Sequence, residues 1–277
     1  MQSLDGKTVL VTGSTDGVGR LVARRLGEAG ARVLVHGRDR RRGGEVVAAI
    51  EESGGRAEFL AADLASLAET RKLAETVWAK ADRLDLLINN AGVGSSGAAG
   101  VRQASADGHE LRFAVNYLAG FLLTGLLLPL LRRGAPSRIV NVASAGQQKI
   151  DFGDVMLTRG YSGTRAYCQS KLAQIMFTLD LARELEGSGV TATCLHPATY
   201  MDTTMVRQSG VTPWSSVEEG AEAILNLAVS PALAGRTGLY FNGLKEARAD
   251  AQAYDAEARR KLQALSRELT GRFAGAI

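Results

Sequence analysis

Tyr167 and Lys171 are the two residues of this chain whose types and spacing point most directly to chemistry. They lie four residues apart in the segment YCQSK. On a helix, residues four apart project from the same face, so the phenol and the ammonium would stand side by side. A phenol has a pKa of about 10 in water, and a nearby cation stabilises the phenolate and lowers that pKa. The pair therefore predicts a proton donor or acceptor; the alternative is a solvated contact on a helix surface.

A glycine-rich segment follows the first predicted strand and precedes a predicted helix. It reads TGSTDGVG, in the spacing Gly-x-x-x-Gly-x-Gly. Glycine lets such a turn approach a pyrophosphate, whose charge is met by amides at the helix N-terminus. The spacing differs from the common Gly-x-Gly-x-x-Gly fingerprint, and a glycine-rich connecting loop is the alternative. The residues expected to bind a dinucleotide here are Gly13, Ser14, Thr15, Asp16, Gly17, Val18 and Gly19.

The end of the second predicted strand, VHGR at residues 35–38, indicates which dinucleotide is bound. NAD enzymes place a carboxylate about 20 residues after the glycines to hold the ribose 2′-hydroxyl. Position 37 is glycine, whereas Arg38 offers a guanidinium suited to a 2′-phosphate. We therefore expect NADP(H) to be preferred over NAD(H). Two alternatives stay open, because Asp39 could contact a ribose and the basic run 38–42 could be a solvated loop.

The elements that must position these residues follow a regular alternation. Short apolar, β-branched runs alternate with longer amphipathic stretches, which predicts one α/β domain over residues 1–277. The expected architecture is a single-domain, Rossmann-like, doubly wound parallel sheet of about seven strands with helices on both faces. The predicted strands are residues 8–11, 32–35, 57–60, 84–88, 138–142, 190–195 and 238–241. The predicted helices are residues 17–29, 43–53, 67–81, 107–131, 164–186, 216–227 and a C-terminal packing helix at 249–273.

Composition and charge predict a soluble protein with a small-molecule ligand. Of 277 residues, 45% are hydrophobic and 22% are charged. Lys and Arg number 33 against 29 Asp and Glu, and no basic stripe typical of nucleic-acid binding is present. The two cysteines and three histidines lack metal-ligand spacing, so we expect no metal and structural histidines. The polar N-terminus and the short apolar run 121–131 predict a cytoplasmic protein without a membrane partner.

Four motifs, taken together and in this order, resemble the short-chain dehydrogenase/reductase family. They are the glycine turn, the segment NNAG at residues 89–92, Ser144 after the fifth strand, and Tyr167 with Lys171. The resemblance covers residues 5–245, and Arg38 with the segment 167–189 is most similar to the retinol-dehydrogenase-like branch. The resemblance implies an NADP(H)-dependent oxidoreductase that interconverts a carbonyl compound and an alcohol by hydride transfer.

The resemblance also implies roles for individual residues. Tyr167 would be the general acid/base, and Lys171 would lower its pKa and hold the nicotinamide ribose. Ser144 would hydrogen-bond the substrate oxygen, and Asn116 would support a water-mediated proton relay to the lysine. A plain serine at a strand end is the alternative for Ser144, which lies 23 positions before Tyr167. Further cofactor contacts are expected from Asp63, Leu64, Asn90, Ala91, Gly92, Pro197, Thr199 and Thr203.

The segment after the sixth strand departs from the family pattern, because Pro197 is followed by Ala198 where the family usually has glycine. This departure motivates an alternative function as a non-redox epimerase, dehydratase or cyclase on the same scaffold. A cofactor-binding regulatory protein without catalysis is a third alternative, and retention of all four catalytic residue types argues against it.

The expected substrate pocket mixes apolar and amide side chains, which predicts a medium-sized, partly lipophilic carbonyl or alcohol. Apolar helices at 121–131 and 175–181 could support a homodimer or homotetramer, and burial in the core explains them equally well. The residues expected to line the pocket are Gln147, Gln148, Phe152, Val155, Met156, Tyr161 and the segment 200–206.

Overall fold

The computed structural model describes residues 2–95, 101–275 and 277. Eight strands form one sheet in the order β3-β2-β1-β4-β5-β6-β7-β8. Neighbours up to β7 pair in parallel, and β8 pairs antiparallel with β7. The strands are β1 Thr8–Val11, β2 Arg32–Gly37, β3 Arg56–Ala61, β4 Leu86–Asn89, β5 Ser137–Val142, β6 Val190–His196, β7 Leu239–Asn242 and β8 Lys245–Ala247.

Helices connect the parallel strands and cover both faces of the sheet. The α-helices are α1 Gly17–Glu28, α2 Arg40–Glu52, α3 Leu67–Lys80, α4 Leu111–Phe113, α5 Ala119–Arg133, α6 Gly163–Glu184, α7 Thr204–Gln208, α8 Val217–Val229 and α9 Ala256–Thr270. The predicted Rossmann-like, doubly wound fold is thereby confirmed. Two short elements, α7 and β8, add to the predicted set.

Two hydrophobic cores hold the helices to the sheet. Successive residues of a strand point to opposite faces, so each strand contributes to both cores. On β1, Leu10 lies in the core that contains α3, α5 and α6, together with Leu34 and Leu87 of the neighbouring strands. Val9 and Val11 lie in the opposite core, against α1 and α8. The strands are therefore buried on both faces, which fixes the positions of the loops that leave their carboxyl ends.

One helical stretch within the described residues, Leu111–Arg133, is apolar and long enough to cross a membrane by length and composition. It comprises α4, a π-helical turn at Ala114–Leu118 and α5. In the structure, 72% of its most apolar window is buried inside the protein. Such burial is typical of a core helix.

The C-terminal helix α9 packs on the outside of α6. It begins at Ala256, after a short 3₁₀ turn at Ala251–Tyr254, and it ends at Thr270. Leu262 is buried against α6, and the Ser266 hydroxyl lies 2.6 Å from the Tyr117 hydroxyl. The chain after β8 therefore lies over the two central helices.

Candidate active site

The predicted site residues gather at the carboxyl edge of the parallel strands. The glycine turn follows β1, Arg38 follows β2, Asn90 follows β4, Ser144 comes two residues after β5, and His196 ends β6. The strand order reverses between β1 and β4, because β2 and β3 lie on one side and β5 to β8 on the other. Open parallel sheets bind ligands at such a reversal. The fold thus brings together segments that are far apart in the sequence.

The turn between β1 and α1 requires glycine for both shape and space. Gly13 has φ +64°, and a Cβ there would lie 2.7 Å from the Cα of Ala91. A Cβ on Gly19 would lie 2.3 Å from the side-chain nitrogen of Asn90. Gly17 has φ +51° and opens α1. No side chain therefore covers the backbone at these glycines, and a phosphate can approach it closely.

Asn90 and Ala91 brace this turn from the end of β4. The Asn90 side-chain nitrogen donates to the carbonyl oxygens of Thr12 and Gly13 at 2.9 and 3.1 Å. The backbone amides of Asn90 and Ala91 both donate to the Thr12 hydroxyl at 3.0 Å. Asn90 was expected to contact the cofactor, and in the structure its side-chain amide holds the turn that was predicted to bind the pyrophosphate.

His36 fixes the other side of the turn. Its Nδ1 accepts a hydrogen bond of 3.1 Å from the Gly13 amide, and its own amide donates to the Ser14 hydroxyl at 2.9 Å. Burial lowers the pKa of His36 to about 4, so the ring is neutral and Nδ1 can accept. The sequence predicted a structural role for His36 but not this contact with Gly13. The pattern that could have indicated the contact is a polar residue at the end of an otherwise apolar strand.

The remaining residues of the turn serve the fold locally. Asp16 caps α1 by accepting from the Gly17 amide, and Arg42 lies 3.3 Å from its carboxylate. Ser14 donates to the Val11 carbonyl at 2.8 Å, and Val18 is buried in the core. These contacts, with the amides of Gly13 and Gly17 donating to His36 and Asp16, hold the shape of the turn.

The end of β2 leaves no room for the carboxylate that NAD enzymes use. A Cβ on Gly37 would lie 2.5 Å from the Cγ2 of Thr15. Asp39 already caps α2 by accepting from the Arg42 amide at 3.1 Å, and this hydrogen bond holds the pKa of Asp39 below its usual value. The acid nearest this strand end is thus engaged in a helix cap, which weakens the ribose alternative.

Arg38 projects into an open cleft of about 460 Å³. Its side chain is 71% exposed and lies 3.8 Å from the carboxylate of Asp63. Arg40 and Lys72 also line this cleft, together with the carboxylates of Asp63 and Glu69. Leu64, which was also expected to contact the cofactor, is buried in the core.

Tyr167 and Ser144 meet although 23 residues separate them in the sequence. Burial raises the pKa of Tyr167, and a hydrogen bond to Ser144 lowers it in part. A Cβ on Gly146 would lie 3.4 Å from the Ser144 oxygen and 3.6 Å from the Tyr167 ring, so all three residues face one space. The Gly146 amide donates to the Ser144 hydroxyl oxygen at 3.0 Å. The serine proton is thus left available for another acceptor.

Lys171 lies on the same face of α6 as Tyr167, as the four-residue spacing predicted. Its Nζ is 5.8 Å from the centroid of the Tyr167 ring. The ammonium donates to the Val142 carbonyl at 2.8 Å and to the side-chain oxygen of Gln174 at 3.3 Å. Both acceptors are neutral, and burial lowers the pKa of Lys171 to about 7. The amine is thus poised to change its charge near neutral pH.

Asn116 sits in the π-helical turn Ala114–Leu118 and holds the segment that follows β4. Its side-chain oxygen accepts from the Val93 amide at 2.7 Å, and its nitrogen donates to the Val93 carbonyl at 3.1 Å and to the Ser170 hydroxyl at 2.9 Å. A Cβ on Gly92 would lie 3.2 Å from Asn116 and 3.7 Å from Lys171. Asn116 and Lys171 therefore flank Gly92, and π-helical turns often occur at functional sites.

The segment that follows β6 folds back over the glycine turn. Thr203 caps α7, and its Cγ2 lies 3.1 Å from the position of a Cβ on Gly17. Thr199 pairs with the His196 ring at 3.0 Å, and Pro197 directly follows β6. Of the three residues expected to contact the cofactor here, Thr203 is the one that lies against the turn.

A buried charged cluster, which the sequence did not reveal, lies beside the segment that follows β4. Arg112 and Glu110 are 3% and 1% exposed and form an ion pair of 3.4 Å. The Tyr161 hydroxyl accepts a hydrogen bond from Arg112 at 2.6 Å and donates one to Glu110 at 3.0 Å. Arg112 also donates to the Gly94 carbonyl at 2.9 Å. Tyr161, which was expected to line the substrate pocket, thus binds both members of this ion pair. The sequence signal for the cluster was the pair of charged residues, Glu110 and Arg112, at the start of an apolar helix.

Comparisons with known proteins agree with this geometry. A family model described as short chain dehydrogenase matches residues 7–213. Retinol dehydrogenase 13 of Homo sapiens is 38% identical, covering 99% of this chain and 88% of the relative. Polyprenol dehydrogenase of Mus musculus is 40% identical, covering 98% of this chain and 85% of the relative. The solved Pseudomonas aeruginosa RhlG/NADP active-site complex is 32% identical with a TM-score of 0.71, covering 87% of this chain and 95% of that chain.

Proposed function

Because the chain belongs to the short-chain dehydrogenase/reductase family of NAD(P)-dependent oxidoreductases, we propose that it interconverts a lipophilic carbonyl compound and its alcohol using NADP(H). The predicted resemblance to the retinol-dehydrogenase-like branch is confirmed, since relatives of that name match nearly the full chain. Retinol and polyprenol, which appear in the names of two relatives, are lipophilic alcohols. Those names support a substrate of the same chemical class.

The glycine turn and its neighbours fit a dinucleotide. A Cβ would clash at Gly13 and at Gly19, so the backbone there is open to a pyrophosphate at the N-terminus of α1. In the proposal, the turn holds the pyrophosphate, Arg38 holds the 2′-phosphate, and Lys171 holds the nicotinamide ribose. When bound, the nicotinamide supplies or accepts the hydride. The protein orients the substrate and handles the proton.

Tyr167 is the proposed proton donor in the reducing direction. Its O–H bond breaks, and the proton passes to the carbonyl oxygen of the substrate. The Ser144 hydroxyl donates a hydrogen bond to the same oxygen and stabilises the charge that develops on it. Lys171, in its protonated form, stabilises the phenolate that remains until a solvent proton restores it. The oxidation of an alcohol runs through the same groups in reverse.

The convergence of Ser144 and Tyr167 is the observation that carries this proposal, since a Cβ on Gly146 would lie 3.4 Å from the Ser144 hydroxyl oxygen and 3.6 Å from the Tyr167 ring. The two residues are 23 positions apart in the sequence. The buried amine of Lys171 lies 5.8 Å from the centroid of the Tyr167 ring. Burial raises the pKa of Tyr167, so the phenol is protonated at neutral pH and ready to donate. A pair of this kind is suited to protonating an oxygen.

A substrate panel tests the reaction class. Purified protein is incubated with NADPH and with aldehydes and ketones of increasing apolar length, including retinal, while the nicotinamide absorbance is followed. We expect cofactor consumption that grows with the apolar surface of the substrate. Binding of NADPH without consumption by any member of the panel would contradict the proposal. Product formation without net cofactor turnover would support the non-redox alternative instead.

Replacement of Arg38 tests the cofactor preference. We expect Arg38→Ala to raise the KM for NADP(H) by about tenfold or more, because charge-assisted hydrogen bonds to the 2′-phosphate are lost. The KM for NAD(H), which lacks that phosphate, should change little. Steady-state kinetics with both cofactors measures the two values.

Arg41→Ala is the matched control for Arg38→Ala. Arg41 belongs to the same basic run, but it is exposed and paired with Glu45 on α2. We expect its removal to leave both KM values unchanged. If Arg38→Ala preserves the preference of the wild type, Arg38 is not the residue that selects the cofactor.

A further inference from the structure

The backbone carbonyl of Ser144, in the loop that follows β5, accepts hydrogen bonds from two side chains. The side-chain nitrogen of Gln147 donates to it at 3.0 Å, and the hydroxyl of Tyr240 donates to it at 3.2 Å. Tyr240 lies on β7, 96 residues further along the chain. A carbonyl oxygen has two lone pairs, so both of its acceptor positions are filled. The peptide that follows Ser144 is therefore fixed in orientation.

Gln147 connects this carbonyl to the C-terminal part of the chain. Its side-chain oxygen accepts from the Asp250 amide at 2.7 Å while its nitrogen holds Ser144. The amide side chain thus acts as a bridge, with its donor and its acceptor both engaged. A side chain with only a donor or only an acceptor could make one of these contacts but not both.

The other end of the same loop is held in the same way. The Ile150 amide donates to the side-chain oxygen of Gln252 at 2.6 Å, and the Gln252 nitrogen donates to the Ile150 carbonyl at 3.1 Å. The loop from residue 144 to residue 150 is therefore anchored at both ends by residues 240–252. Its conformation depends on the chain beyond β6.

Tyr240 is suited to a permanent donor role. Its side chain is buried, with 4% exposure, between the sheet and the loop. Burial raises its pKa to about 12, so the hydroxyl keeps its proton at any physiological pH. It donates to an uncharged carbonyl and does not take part in proton transfer. Loss of this hydroxyl would free one of the two restraints on the Ser144 peptide.

We propose that Tyr240 and Gln147 are positioning residues, which hold the Ser144 peptide so that the serine hydroxyl faces Tyr167 and the substrate. The inference rests on the proposed function of Ser144. The Ser144 side chain and the Gly146 amide that donates to it are both attached to this loop, so rotation of the peptide would displace both. Productive hydrogen-bond geometry tolerates little displacement.

A double-mutant cycle tests the coupling. Tyr240→Phe removes one oxygen atom and keeps the ring, and we expect it to lower kcat by about fivefold, the effect of one hydrogen bond. The Kd for NADPH should stay unchanged, because Tyr240 does not touch the glycine turn. In a Ser144→Ala background, Tyr240→Phe should lower kcat by less than about twofold, since the group that it positions is absent. Gln147→Leu should behave as Tyr240→Phe does in both backgrounds.

Tyr117→Phe provides the matched control. Tyr117 is as buried as Tyr240, but its hydroxyl bonds to Ser266 on α9. It should lower the melting temperature and leave kcat unchanged. If Tyr240→Phe lowers kcat equally in the wild-type and Ser144→Ala backgrounds, or does not lower it at all, the positioning role is overturned. The proposed function would not be affected by that result. An unchanged kcat in Ser144→Ala would overturn the role of Ser144 in the proposed function, and the positioning role with it.

Discussion

At the scale of single residues, burial sets the protonation of the two groups expected to move protons. Burial raises the pKa of Tyr167 and lowers the pKa of Lys171 to about 7. The sequence predicted that the lysine would lower the tyrosine pKa. In the cofactor-free protein the shift of Tyr167 runs in the opposite direction, because desolvation outweighs its hydrogen bond to Ser144. Burial therefore favours the protonated phenol of Tyr167 and the neutral amine of Lys171.

The depressed pKa of Lys171 predicts a pH-dependent stability. Between about pH 7 and about pH 10, Lys171 is neutral in the folded protein and charged in the unfolded chain. The unfolded state then binds more protons, so the free energy of unfolding rises with pH across this window. Below pH 7 the cost of burying the charged amine is fully present.

Comparison with Lys171→Met isolates this effect from other titrating groups. The variant should be more stable than the wild type at pH 6, and the difference should shrink as the pH approaches 10. Denaturant unfolding of both cofactor-free proteins across that range measures the gap. A difference in the free energy of unfolding that does not change with pH would contradict the lowered pKa of Lys171.

At the scale of elements, the β1–α1 turn is where sequence and structure agree most closely. Its glycines were recognisable because only glycine combines a positive φ with the absence of a Cβ. At Gly13 both conditions apply, since φ is +64° and Ala91 lies 2.7 Å from the position of a Cβ. We expect Gly13→Ala to lower the melting temperature and to weaken NADPH binding by about tenfold or more, because the turn must shift.

Gly44→Ala is the control for Gly13→Ala. Gly44 lies inside α2, and a Cβ there would meet nothing within 4 Å. This substitution should stabilise the protein by about 0.5–1 kcal/mol, the difference in helix propensity between the two residues. Thermal melts and NADPH titrations of both variants separate the two effects. Equal behaviour of the two variants would show that the turn does not require glycine at position 13.

The elements that the sequence did not reveal are short or lack an apolar pattern. Strand β8 contains Lys245, Glu246 and Ala247, so it has no alternation of apolar residues to mark it. Helix α7 has five residues, none of them buried, and its only local signal is the Thr203 cap. The contact between Tyr240 and Ser144 joins residues 96 positions apart, and no local pattern encodes it. Periodic, apolar elements were therefore predictable, whereas tertiary contacts of polar side chains were not.

At the scale of the whole molecule, α9 covers the helices that the sequence offered for an oligomer interface. The ring centroids of Phe121 of α5 and Phe177 of α6 lie 5.2 Å apart, with the ring planes tilted by 59°. Both rings pack against the core that contains Leu262 of α9. Arg259 of α9 pairs with Asp180 of α6 at 2.8 Å. Most of the apolar residues of these two helices are thus buried within one chain.

We therefore predict that the protein is a monomer in solution. Size-exclusion chromatography with light scattering should give a mass close to 29.3 kDa. Twice or four times that mass, unchanged on dilution, would show that another surface forms a stable interface.

The central claim is that Tyr167 supplies the proton in an NADP(H)-dependent carbonyl reduction. Its most direct test compares kcat of the wild type and of Tyr167→Phe with NADPH and the best carbonyl substrate of the panel. We predict a loss of about 100-fold or more, the range expected of general acid catalysis, with an unchanged Kd for NADPH. Turnover of Tyr167→Phe within about twofold of the wild type would contradict the claim.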